Sequence, residues 1–150
     1  MSTTTTTPTE STTATETLTA FRPQVLHVAY HVADIERALS FYTGVLGLKE
    51  TMRLPLGKNL SEVILAFPDS KSAGVILMWN TDRPKSEPIT IGEGYSRLVL
   101  RVSDVEASFA HLVKHNAPVV TPVTTYGNLK FAMIKDPDGY VIELLEFLKS

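Results

Sequence analysis

From residue 25 onward the chain alternates between two hydrophobic rhythms, and the alternation itself repeats. In VLHVAYHV at 25–32, Leu26, Val28, Tyr30 and Val32 form one period-two set, while Val25, His27, Ala29 and His31 form the other. This predicts a strand with one apolar face and one face carrying two histidines. Asp34 suits a helix N-cap, and Ile35, Ala38, Leu39, Tyr42 and Leu46 follow at helical spacing, with Glu36, Arg37, Ser40 and Thr43 outside. Gly44 and Gly47 are expected to close the helix. Three more strands are predicted at 48–54, 62–67 and 74–79, separated by turn formers around Pro55, Gly57 and Asn59 and around Pro68, Asp69 and Ser70. The order is βαβββ.

After a polar stretch holding Pro84, Pro88, Gly92 and Gly94, the same order starts again. A strand at 95–102 leads to a helix capped by Ser103 or Asp104, with Val105, Phe109, Leu112 and Val113 inward. Strands at 119–125, 129–135 and 140–147 follow, with Tyr126, Gly127 and Asn128 as a hairpin turn between the first two. Setting HVADIERA on RVSDVEAS places Asp34 on Asp104, His27 on Arg97 and His31 on Arg101 without a gap. The last strands match as GVILMW on YVIELL, which sets Leu77 against Glu143. A tandem βαβββ protein of the α+β class is expected, with a tail at 1–22, a first module at 23–82, a linker at 83–94 and a second module at 95–150. The two modules should form one domain, a curved mixed sheet around a cavity.

Composition narrows the chemistry. The 150 residues are 43% hydrophobic and 20% charged, with a net charge of -2 and a pI near 6.1. That balance suits one folded unit with a core and gives no electrostatic case for nucleic acid or an anionic membrane. The lack of cysteine removes disulfides and thiolate chemistry. Residues 1–20, rich in threonine, have neither apolar periodicity nor the pattern of a secretory signal and are expected to be disordered. No stretch is long and apolar enough to span a bilayer, and a cytoplasmic location is expected.

The repeat turns scattered polar residues into a place. His27 and His31 in one module, and Arg97 and Arg101 in the other, lie on strand faces opposite the helices, which are expected to line one shared cavity. The final strands are expected to add Leu77 and Trp79 from the first module and Val141, Glu143 and Leu145 from the second. Glu143 is a carboxylate inside an apolar strand and needs a partner. The turn that launches that strand, Asp136, Pro137, Asp138 and Gly139, is a strong one.

The motifs LHVAYHVADIERALSFYTGVLGLKE and DPDGYVIELLE resemble the vicinal oxygen chelate superfamily, which includes glyoxalase I, extradiol dioxygenases and bleomycin resistance proteins. The resemblance covers roughly residues 25–148 and implies the paired-module fold of that superfamily. It also implies four cavity positions that hold a divalent ion in the metal enzymes, here His27, Leu77, Arg97 and Glu143. A leucine has no donor atom and an arginine has no lone pair, so two ligands are missing. His27 and Glu143 alone make a poor site. No metal is therefore expected, with an atypical divalent site the alternative.

A metal-free reading follows from the charges. Arg97 either merely neutralises a buried Glu143 or holds a substrate oxyanion while Glu143 or His27 moves a proton on the adjacent carbon. On the functional version the catalytic residues are His27, Arg97 and Glu143, with His31, Trp79, Arg101 and Leu77 binding substrate. His111 and His115, at i and i+4 on the second helix, are expected to be solvated. The expected function is a small-molecule lyase or isomerase, with non-catalytic sequestration of a small molecule as the alternative. A homodimer is implied by the resemblance.

Overall fold

A computed structural model describes residues 21–69 and 71–149; the threonine-rich segment before residue 21 lies outside them. The elements run β1 (His27–His31), α1 (Ile35–Tyr42), β2 (Lys49–Pro55), β3 (Leu60–Ala66), β4 (Gly74–Asn80), β5 (Leu98–Arg101), α2 (Val105–Lys114), β6 (Val119–Tyr126), β7 (Leu129–Lys135) and β8 (Val141–Phe147). The expected βαβββ order is present twice. The strands form two four-stranded mixed sheets, one per module, ordered β1-β4-β3-β2 and β5-β8-β7-β6. In each, the first strand pairs in parallel with the last, and the remaining pairs are antiparallel.

Local chemistry sets the helices. The Asp34 carboxylate accepts from the amides of Glu36 and Arg37 at 3.0 and 3.3 Å, and the Asp104 carboxylate accepts from the Ala107 amide at 2.9 Å. Ile35, Ala38, Leu39, Phe41 and Tyr42 turn inward from α1, as do Val105 and Leu112 from α2. The first helix stops at Tyr42, with Thr43 as its C-cap, short of the two glycines expected to end it.

Register decides which strand residues face the helices. Tyr30 pairs with Leu77, and Leu77 with Val63; all three are buried in the core with α1. The same face in the second sheet carries Leu98, Leu100, Ile142, Leu144, Ala132 and Ile134. The opposite, open face carries His27, Ala29, His31, Ile76 and Met78 in one sheet and Arg101, Val99, Glu143 and Leu145 in the other, since neighbours along a strand alternate.

Packing between elements stays chiefly inside each module, and the modules are tied through loops. The turn before β8 supplies most of the ties. Asp138 accepts from the Ala33 amide at 3.2 Å and pairs with Arg37 at 2.8 Å, and Asp136 accepts from the Tyr42 hydroxyl at 2.8 Å. The Tyr140 hydroxyl donates to the His31 carbonyl at 2.8 Å, while its ring packs against Tyr30 and Tyr95. Gly139 makes this turn possible, its φ of 96° being one that a side chain would resist.

Candidate active site

The second open face carries an ion pair built on a buried carboxylate. Glu143 is 7% exposed in the middle of β8, flanked across the sheet by Val99 and Met133. A carboxylate buried to that degree needs a partner, and Arg97, just before β5, supplies it through a hydrogen bond from Nε to Oε2. Arg97 Nη1 also reaches the Ser96 hydroxyl at 3.1 Å. Among the described residues, Arg97 Nη2 and Glu143 Oε1 make no hydrogen bond, so the pair keeps one donor and one acceptor unused. Arg101, exposed on the same face, lies 5.3 Å from the centre of the Phe147 ring and has no carboxylate partner among the described residues.

The first open face is differently built. His27 is half-buried, and its ring lies close against Gly74 on β4: a Cβ there would meet His27 Cδ2 at 2.7 Å and the Leu65 carbonyl at 2.5 Å. His31, exposed, lines a cavity of about 450 Å³ with Asn80, Arg83, Glu87 and Ile89. The segment after β4 is thus more than a connector. It folds back over the end of the first sheet.

Two expected site residues lie elsewhere. Leu77 is fully buried on the helix-facing side, and Trp79 shares that side, lining a cavity of about 180 Å³ with Ile35 and Lys85 under the Arg53 guanidinium. The reason is a shift of one in the match between β4 and β8. Ala29 pairs with Ile76 as Val99 pairs with Glu143, so Ile76, not Leu77, holds the place equivalent to Glu143. The stretch GVILMWN is apolar at both parities and gives alternation nothing to grip, although Asn80 at its end marks the open face.

A cavity of about 720 Å³ lies between the modules, with Gly74 and Val75 of β4 on one side and Val99 and Arg101 of β5 on the other. No hydrogen bond or ion pair among the described residues links His27 or His31 to Arg97, Arg101 or Glu143, and the cavities that His31 and Arg101 line are different ones. Arg101 borders a cavity of about 450 Å³ between the modules, walled by Phe67, Leu100 and Leu112. His111 and His115 are exposed as expected, but they are not idle, since His111 Nε2 lies 3.0 Å from the Val45 carbonyl and ties α2 to the first module.

The donor set does not suit a divalent ion. With register taken into account its four positions are His27, Ile76, Arg97 and Glu143, and the one carboxylate is already matched by a guanidinium. No group of three or more His, Asp or Glu side chains among the described residues is arranged to hold a metal.

Burial perturbs other groups. It raises the Asp136 carboxyl above the usual range, against the lowering effect of the Tyr42 hydroxyl and the Tyr140 and Asp138 amides; the nearby Asp138 charge adds to the rise. Burial, with Asp136 beside it, also raises the Tyr42 phenol. These groups bind the modules to each other rather than facing either open surface.

Comparison with known proteins agrees with this architecture. Residues 24–144 match the model of the Glyoxalase/Bleomycin resistance protein/Dioxygenase superfamily. Lactoylglutathione lyase of Escherichia coli O157:H7 is 33% identical over 129 residues, covering 82% of this chain and 92% of that protein. Among solved structures, the trypanothione-dependent glyoxalase I of Leishmania major superposes with a TM-score of 0.71 at 28% identity, covering 83% of this chain and 87% of its own. TnmS3, an antibiotic binding protein from a Streptomyces species, superposes with a TM-score of 0.62 at 25% identity, covering 84% and 97%.

Proposed function

Since the chain belongs to the glyoxalase/bleomycin resistance protein/dioxygenase superfamily and is a lyase of that superfamily, we propose that it moves a proton beside an oxyanion held by Arg97, without a metal ion. The observation that carries the reading is the Arg97–Glu143 pair, tied through Nε and Oε2 and free at Nη2 and Oε1. A substrate carbonyl oxygen accepting from Nη2 would develop negative charge as the neighbouring carbon loses its proton. Glu143 Oε1 is the acceptor for that proton and returns it to the former carbonyl carbon, while the proton of the neighbouring hydroxyl passes to the oxyanion, so no proton is gained or lost overall. Arg97 keeps its charge throughout, so it stabilises the intermediate without taking part in proton exchange.

The substrate class proposed is that of the lactoylglutathione lyases, a small thioester or its hemithioacetal precursor, in which a carbonyl or hydroxyl carbon stands next to an acidic C–H. His27 assists from the first open face, while His31 and Arg101 contact the substrate's outer parts. The active form is a homodimer in which the first face of one copy meets the second face of the other, since no hydrogen bond or ion pair among the described residues joins His27 to Arg97 or Glu143 within one chain.

Glu143→Gln tests the reading. Turnover of hemithioacetal is expected to fall roughly 10²–10⁴-fold while ligand binding persists, and the parent's turnover should survive chelation of divalent ions. Loss of turnover on chelation, with recovery on adding one metal, would end the metal-free mechanism. The likeness to TnmS3 supports a second reading, sequestration of a small molecule. A parent protein that binds tightly but turns over nothing would favour it.

A further inference from the structure

The proposed mechanism turns on Arg97, yet no strand holds that residue. The β5–β8 ladder begins one position later, with Leu98 opposite Ile142, and residues 95–97 run up to it outside the sheet. A guanidinium carried on such a stretch keeps a fixed aim only if side chains tie the stretch down. Two ties are present. Ser96 Oγ accepts from Arg97 Nη1 at 3.1 Å, and the Tyr95 hydroxyl donates to the Val141 carbonyl at 2.9 Å. The second is the firmer anchor, because Ser96 is exposed and moves with the residue it touches, whereas Val141 belongs to β8.

The bonds from this stretch to β8 run in parallel. Tyr95 reaches Val141 and Arg97 reaches Glu143, a step of two residues on both sides, so the phenol fixes the chain just ahead of the guanidinium onto the strand that carries the carboxylate. The Tyr95 ring is itself held from both modules. It meets Tyr140 edge-on at 5.2 Å between ring centres, and Tyr30 of β1, which is buried in the first module, at 5.8 Å and 88°. Burial raises the Tyr95 phenol, and the Tyr30 phenol beside it adds to the rise, so the proton stays on oxygen and remains available to the Val141 carbonyl.

We propose that Tyr95 is a positioning residue for the Arg97–Glu143 pair, its hydroxyl clamping residues 95–97 to β8 so that Arg97 keeps its bond to Glu143 and presents its remaining donor to the ligand. The role rests on the proposed function for the reaction that the pair performs, and on the hydrogen bonds alone for the clamp. Phenylalanine at this place would keep the ring packing against Tyr30 and Tyr140 and lose the clamp, which separates the work of the hydroxyl from that of the ring.

The test compares Tyr95→Phe with Tyr140→Phe, which also removes a phenol that donates to a backbone carbonyl, that of His31 at 2.8 Å, but does so at the seam between modules. With hemithioacetal as substrate, kcat of Tyr95→Phe should fall about tenfold while KM changes by less than about twofold. In Tyr140→Phe kcat should stay within about twofold of the parent, even where its melting temperature falls as far. Arg97 is followed directly, in the full chain without substrate, through the NMR signal of its Nε–H. Exchange of that proton with water should be slow in the parent and in Tyr140→Phe, and about tenfold faster in Tyr95→Phe. Equal losses of kcat in the two variants, or an Arg97 signal unchanged in Tyr95→Phe, would overturn the clamp. If Glu143→Gln leaves turnover unchanged, the proton-transfer mechanism fails while the Arg97 signal still decides on the clamp, so the two failures are read separately.

Discussion

The two open faces began from one pattern and have diverged in opposite directions. The second holds a matched pair, Arg97 with Glu143, in the middle of the sheet. The first has isoleucine at the place of Glu143 and half-buried histidine at the place of Arg97, while its polar groups gather at the strand ends around His31 and Arg83. One face concentrates its charge at its centre, the other at its edge. The repeats thus differ mainly on the open faces, since everything on the helix-facing side must keep its volume to preserve the core.

Mixing chains tests this difference with the largest expected effect. His27→Ala and Glu143→Gln chains should each be nearly inactive alone. If a site draws one face from each copy, mixing them after subunit exchange should restore about a quarter of parental activity, because half of the random dimers carry one intact site of two. No recovery would mean that each chain works with its own faces.

The next contrast is between neighbours on β4. Leu77→Ala should lower stability by about 2–5 kcal/mol in chemical denaturation and leave the KM of the folded fraction unchanged, as expected of a core residue. Ile76→Gln, one residue along and on the open face, should do the reverse, with little change in stability and a measurable change in KM. If the two effects were exchanged, the register given for β1 and β4 would be wrong.

The smallest expected effect concerns Asp136. Its folded pKa is raised, so its neutral form is favoured in the fold; that contribution is complete below the unfolded carboxyl value and lost as pH rises through the folded one. The stability of the parent relative to Asp136→Asn, followed by denaturation at a series of pH values, should therefore decline from acidic pH upward and level off once the carboxyl is ionised. A relative stability that rises with pH would mean that hydrogen bonds to the carboxylate outweigh its burial.

Much of this was legible in the chain. The βαβββ repeat showed because the cap residues Asp34 and Asp104 and the strand polars at 27, 31, 97 and 101 repeat at one spacing. The pairing of Arg97 with Glu143 followed from the need of a buried carboxylate for a cation. Trp79 and Leu77 were misplaced because β4 is apolar on both faces, so only pairing to β1 could fix its parity. The Arg83 cavity was hidden for another reason: it is made by a segment without periodicity, whose course depends on single hydrogen bonds such as that to the Pro88 carbonyl.

Those loops bear on how the protein comes apart. Nearly all the polar ties between the modules end on Asp136, Asp138 and Tyr140, a five-residue span that leads into β8. Neither half can then loosen its own sheet without pulling on this span, and breaking it exposes the aromatic rings of Tyr30, Tyr95 and Tyr140 at once. The two copies of the ancestral unit are therefore expected to melt in one transition, and amide exchange at Tyr140 and Asp138 should report the opening of the whole molecule rather than of a single turn.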